Sequence, residues 1–204
     1  MYPGRTVAAE TEPKLMAVNQ RSLGSWARRP EVRIGAVVAV AILVAFVVWL
    51  LVRGGGSSQP HATAIPAVAA SSDRLRALSV EAGRPIYWLG PQNNHTYELT
   101  RTSQDRIYVR YLPKGTQVGT SSASYPLVGT YPVDNAYNVL KSLANGSGES
   151  SFTAPKGGFA VYSASKPTNV YLAYPGTNVQ IEVFDPSPTR ARELVASGQV
   201  VPVG

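Results

Sequence analysis

The chain has 204 residues, a formal net charge of +7, 44% hydrophobic and 15% charged residues, and no cysteine. The missing cysteine excludes disulfides, thiolate metal sites, cysteine nucleophiles and a lipidated Cys anchor. The basic excess is spread along the chain and forms no Lys/Arg cluster in the folded part, which argues against a nucleic-acid partner.

The polar segment 1–33 carries scattered Pro and Gly and no sustained apolar period, and reads as a basic, mostly disordered tail. Next comes Ile34–Val52, IGAVVAVAILVAFVVWLLV, which holds no charge. At 1.5 Å per residue such a segment spans roughly 28 Å as a helix, about the hydrocarbon thickness of a bilayer. Its many β-branched residues favour a strand in water, but an isolated strand in lipid leaves its backbone unpaired, so a transmembrane helix is expected. Arg21, Arg28, Arg29 and Arg33 precede it and only Arg53 follows closely. The positive-inside rule then places the N-terminus in the cytoplasm and the C-terminal part outside the cell membrane. A cleaved signal peptide is the competing reading, but the apolar run is long and its nearest small-residue pattern, Ala67-Val68-Ala69, lies well beyond it. Gly35 and Ala39 form a small-xxx-small pair through which helices could associate. Residues 53–72 are rich in Gly, Ser, Ala and Pro and read as a flexible tether.

Residues 73–204 are expected to form an extracytoplasmic α+β domain. Asp73–Ala82 reads as a helix capped by Ser71 or Ser72 and ended by Gly83. Pro85–Leu89, Thr96–Thr102, Arg106–Leu112 and Leu127–Tyr131 are rich in β-branched and aromatic residues and read as strands. Asn135–Asn145 spaces its apolar residues at helical intervals, with Asp134 as the expected cap. Phe159–Ser163, Asn169–Tyr174 and Val179–Phe184 are strands again. Ser187 and Pro188 open a helix over 189–197, and Gln199–Val203 is a final edge strand. Both halves read β-β-β-α, which suggests a duplicated unit with Pro113–Pro126 inserted in the first copy.

On the stretches YELT (Tyr97–Thr100), RIYVRYLP (Arg106–Pro113) and QIEVFDPSP (Gln180–Pro188), the chain resembles uncharacterised single-pass, membrane-anchored proteins of GC-rich Gram-positive bacteria. The likeness covers most of the outer domain. It implies architecture and location, and carries over no functional residue.

Catalytic patterns are sparse. The domain holds one histidine, His95, in the polar run Pro91–His95, and no nucleophile elbow or phosphate loop accompanies it. No cofactor or metal is implied, and an enzyme is not expected. Glu98, Glu182 and Asp185 are the carboxylates from which a hydrolase would have to be built, although alternation points Glu98 and Glu182 away from their apolar neighbours and towards solvent. Tyrosine is abundant in the domain, and Tyr87, Trp88, Tyr108 and Arg110 are the candidate binding surface, since aromatic faces receive sugar rings. The expected role is a tethered binding or interaction module. Its partners would be the lipid bilayer through Ile34–Val52, and cell wall polymer or another envelope protein through the domain. The alternatives are a paired-carboxylate hydrolase and a signalling or assembly subunit acting through its transmembrane helix.

Overall fold

The computed structural model describes residues 65–204. The tail, the apolar segment Ile34–Val52 and most of the expected tether lie outside the described residues. Among the described residues no helix is long and apolar enough to cross a membrane.

These residues form an α+β domain. In chain order the elements are β1 (Val68–Ala70), α1 (Ser72–Glu81), β2 (Tyr87–Trp88), β3 (His95–Arg101), β4 (Ile107–Pro113), β5 (Leu127–Pro132), α2 (Ala136–Leu143), β6 (Glu149–Ala154), β7 (Gly158–Ser163), β8 (Lys166–Ala173), β9 (Val179–Phe184), α3 (Pro188–Ala196) and β10 (Val201–Pro202). One antiparallel sheet runs β1-β3-β4-β5-β9-β8-β7-β6, and β2 pairs with β10 apart from it. The strand order is palindromic: β3-β4-β5 and β7-β8-β9 are each a meander, and they meet where β5 pairs with β9.

Period-two alternation gives the sheet two covered faces. On β4, Ile107, Val109 and Tyr111 enter one core and Tyr108 enters the other. On β9, Val179, Ile181 and Val183 join that first core. This face is covered by Leu75 and Leu78 of α1, by Ala191, Leu194 and Val195 of α3, and by Tyr87 and Trp88 of β2. The second face is covered over β7, β8 and β9 by α2, through Ala136 and Leu140. Burying one Leu side chain contributes roughly 1.5–3 kcal/mol, so docking of α1, α2 and α3 dominates the cohesion of the layers.

The elements follow local rules with instructive departures. Ser71 caps α1, its hydroxyl accepting from the Arg74 amide at 3.1 Å, and Gly83 follows at φ +62°. Ser187 and Pro188 open α3 in the same way. Asp134 does not cap α2. Asn135 takes that position in a left-handed conformation, its amide bonded to the Asn178 side chain, so the helix start is fixed by a neighbouring loop. β1 lies inside the stretch expected to be tether: the run is only three residues long and is held as a strand by its pairing with Glu98 and its neighbours. β6, ESSFTA, has no apolar alternation and is held by register against β7. The segment around 85–89 is not a strand of the large sheet: Tyr87 and Trp88 bond to β10 at the C-terminus. The three-stranded first half is therefore β3-β4-β5, with residues 114–126 a connection inside it.

Candidate functional site

The four residues expected to make an aromatic binding surface do not share one. Tyr87 and Trp88 are 7% and 6% exposed and sit in the first core. There Tyr87 stacks on Tyr174 at 5.8 Å, and Trp88 meets the Tyr97 ring edge-on at 5.5 Å. Tyr108 and Arg110 lie on the opposite face, because β4 alternates them with Ile107, Val109 and Tyr111. The tyrosine richness serves packing with an internal polar tip: the Tyr111 hydroxyl accepts from the Leu89 amide at 2.7 Å and donates to the Gly90 carbonyl. Burial pushes the Tyr87 and Tyr111 hydroxyls above the ordinary phenol value, so both stay neutral.

Glu98 and Arg110 are cross-strand partners on the second face, and both are removed from solvent rather than splayed into it. The Arg110 guanidinium lies 2.6 Å from Glu98 Oε1. The remaining valences go to a loop. Glu98 Oε2 accepts from the Gly119 amide at 2.6 Å, and Arg110 donates to the Thr120 and Ser122 carbonyls at 2.8 and 3.0 Å. This ion pair is therefore the anchor of residues 114–126, a connection much longer than the roughly two to five residues usual in a hairpin. Its Gly, Ser and Thr content supplies little apolar area of its own. The Lys114 amide also donates to the Asn94 carbonyl at 2.7 Å, which ties the start of the loop to the polar run 91–95. Together the two segments expose Asn93, Asn94, His95, Lys114, Gln117 and Ser124. His95 is held by a bond from Nδ1 to the Asn93 carbonyl and by an edge contact with Tyr111. The two segments expose amides, hydroxyls, one ammonium and one imidazole, the groups that hydrogen-bond a hydroxylated or amide-bearing ligand.

A second polar knot lies where the two meanders meet. Glu182 of β9 is 0% exposed. Tyr131 donates to its Oε2, Asn169 to its Oε1, and Tyr171 to the same Oε1 at 3.5 Å. The residue opposite Glu182 on β5 is Gly129, and the Tyr131 side chain occupies the space a Cβ would take there. Tyr108 packs edge-on against Tyr131 at 5.6 Å. The Arg106 guanidinium lies 5.7 Å from the centre of the Tyr131 ring. Desolvation raises the Glu182 carboxyl above its ordinary value of 4.5, against the three hydrogen bonds and the pull of Lys166, all of which favour the anion.

The sign of the pH effect follows from that direction. The folded state holds the Glu182 proton to higher pH than the unfolded chain does, so stability falls as pH rises from about 4.5 towards the raised value. Asp105 works in the other window. Burial opposes its ionisation, but hydrogen bonds from Arg84 and Arg101 outweigh burial and lower its value below 3.8, so its contribution is lost only in stronger acid. Glu182→Gln is expected to remove the decline above pH 4.5 and leave the acid limb intact. Urea midpoints measured from pH 3 to pH 8 check this; an unchanged upper slope would assign the decline to another group.

No family model matches the chain, and neither the curated proteins nor the solved structures contain a match. Glu98 and Glu182 stand on β3 and β9 with β4 and β5 between them. Three strand spacings and a two-residue offset along the strands put their backbone positions about 16 Å apart, more than the roughly 5–10 Å over which two carboxylates act on one glycosidic bond. Asp185 is also committed: it accepts from the Ser187 amide at 2.8 Å and faces Arg190. Among the described residues no group of three His, Cys, Asp or Glu could hold a metal ion. What the arrangement offers is a rigid, covered sheet from which an anchored polar loop projects. The sequence signal for that anchor was the hairpin register itself: with Ser103–Asp105 as the turn, Glu98 falls opposite Arg110.

Proposed function

We propose that the chain is a single-pass, membrane-anchored binding module of a bacterial cell envelope. In this reading the basic tail is cytoplasmic, Ile34–Val52 spans the membrane, and the domain stands outside. It contacts cell wall polymer, or another envelope protein, through the surface shared by residues 91–95 and 114–126. The observation that carries the reading is the investment of a buried ion pair in ordering a long polar loop. Loops presented on a rigid scaffold are the usual bearers of recognition. The resemblance to membrane-anchored proteins and the arginines before Ile34 support the location. The palindromic strand order supports a duplicated unit, β3-β4-β5-α2 and β7-β8-β9-α3, in place of a division that begins at Pro85.

The test is co-sedimentation of residues 65–204 with isolated cell wall sacculi at low and high salt. Salt-resistant pelleting is expected. Replacing residues 116–124 by a Gly/Ser stretch should weaken it about tenfold, or ~1.4 kcal/mol. Pelleting at low salt alone would mean attraction of a basic domain to an anionic wall. No pelleting would overturn the polymer reading and direct the search to an envelope protein.

A further inference from the structure

The two ends of the large sheet are built differently. β1 is three residues long, which leaves little backbone to pair. β6 runs for six residues in unbroken register with β7, and among the described residues no strand lies beyond it. A sheet edge presents unpaired N–H and C=O groups, and edges are usually blunted by Lys, Pro, a bulge or a covering segment. β6 contains no Lys and no Pro, and the irregularity in this half lies one ladder further in, between Tyr162 and Ser163. Ser150, Ser151 and Thr153 are exposed along it.

We propose that β6 is a self-association edge, pairing antiparallel with β6 of a second copy of this chain about a two-fold axis at Phe152. The axis must pass through a residue, because residues opposed across an antiparallel pair point to the same face and a one-residue slip reverses every side chain. With the axis at Phe152, its ring meets the same ring of the second copy, Ser151 meets Thr153, and Ser150 meets Ala154. Aromatic and hydroxyl pairs of this kind favour cross-strand pairing. Charge favours this register over the one centred on Ser151. Glu149 falls opposite Pro155 and beside Lys156 of the second copy, and the two-fold axis repeats that contact at the other end. Lys156 is exposed in the turn that closes the β6–β7 hairpin, in a left-handed conformation at φ +60°. Moving the axis to Ser151 places Glu149 opposite Thr153 and draws it away from Lys156. On the same face, Phe152 lies 6.3 Å from Tyr162, and Arg192 stacks 5.2 Å from the Tyr162 ring. The Phe152 pair therefore extends an existing row towards the axis.

The chain has no cysteine, so single substitutions report cleanly. Phe152→Cys, Ser151→Cys, Ser150→Cys and the remote Ser121→Cys are made in the full-length chain, oxidised in membranes and read on non-reducing gels. A residue on a two-fold axis meets its own copy, so Phe152→Cys is expected to give several-fold more dimer than Ser150→Cys or Ser121→Cys. Phe152→Cys also removes the ring. The double variant Ser151→Cys with Thr153→Cys keeps the ring and should cross-link as well. Light scattering of the detergent-solubilised native chain should give the mass of two protomers. A maximum at Ser151→Cys would overturn the register. Cross-linking no higher than Ser121→Cys, or a monomer mass, would overturn the edge.

Discussion

Arg110→Ala, a substitution outside the apolar core, is expected to destabilise the domain strongly. It leaves the Glu98 carboxylate, 6% exposed, with the Gly119 amide as its remaining partner. Removing one member of a buried pair typically costs about 3–5 kcal/mol, because the surviving charge stays out of water. The same change frees the Thr120 and Ser122 carbonyls, so the loop loses its hold as well. Two readouts separate these effects. Urea denaturation measures stability, and tryptic cleavage after Lys114 measures loop order. Replacing both partners, Glu98→Met with Arg110→Met, removes the unpaired charge and should recover most of the stability while leaving the loop loose. If that double variant still bound sacculi with native affinity, the anchored loop would not be the recognition element.

Gly129→Ala is the second large effect. A Cβ at Gly129 would lie 2.6 Å from the Tyr131 hydroxyl oxygen and 2.8 Å from its Cζ. The ring must then leave its place over β5. Overpacking of this kind costs about 1–3 kcal/mol. The displaced hydroxyl also withdraws a donor from Glu182, which adds roughly 1–3 kcal/mol for an unsatisfied buried group. Tyr131→Phe forfeits only the second contribution. The double variant should therefore cost less than the sum of the singles, and a thermodynamic cycle over the four proteins checks it. Strict additivity would mean that Gly129 serves the backbone rather than the tyrosine.

Much of the domain could be read from local pattern, and the parts that could not share a cause. β4 and β9 alternate so regularly that Val109 and Ile181 point to one core without knowledge of their partners. The same alternation assigned Glu98 and Glu182 to the other face. Whether that face meets water is decided elsewhere, by α2 lying over β7–β9 and by residues 114–126 folding back on β3 and β4. Neither event leaves a mark in the strands themselves. Trp88 and Tyr87 belong to a two-residue strand whose partner, β10, is more than a hundred positions away, so no window around them could show that they turn inward. β6 was missed because a polar edge strand has no hydrophobic period to detect.

The palindromic order has a kinetic consequence. Within the large sheet, β3-β4-β5 and β6-β7-β8-β9 join neighbours through short or moderate connections. Closure of β5 on β9 is different, for it brings Leu127 to Phe184 and Pro132 to Val179. Loop-closure entropy makes distant pairings slow to form. Each meander is built from local pairings, and their zipping together at Gly129 and Glu182 is expected to be slow, as is the still longer closure of β2 on β10. Until then both halves expose an unpaired flank, so refolding yield should fall with protein concentration well before native stability is challenged.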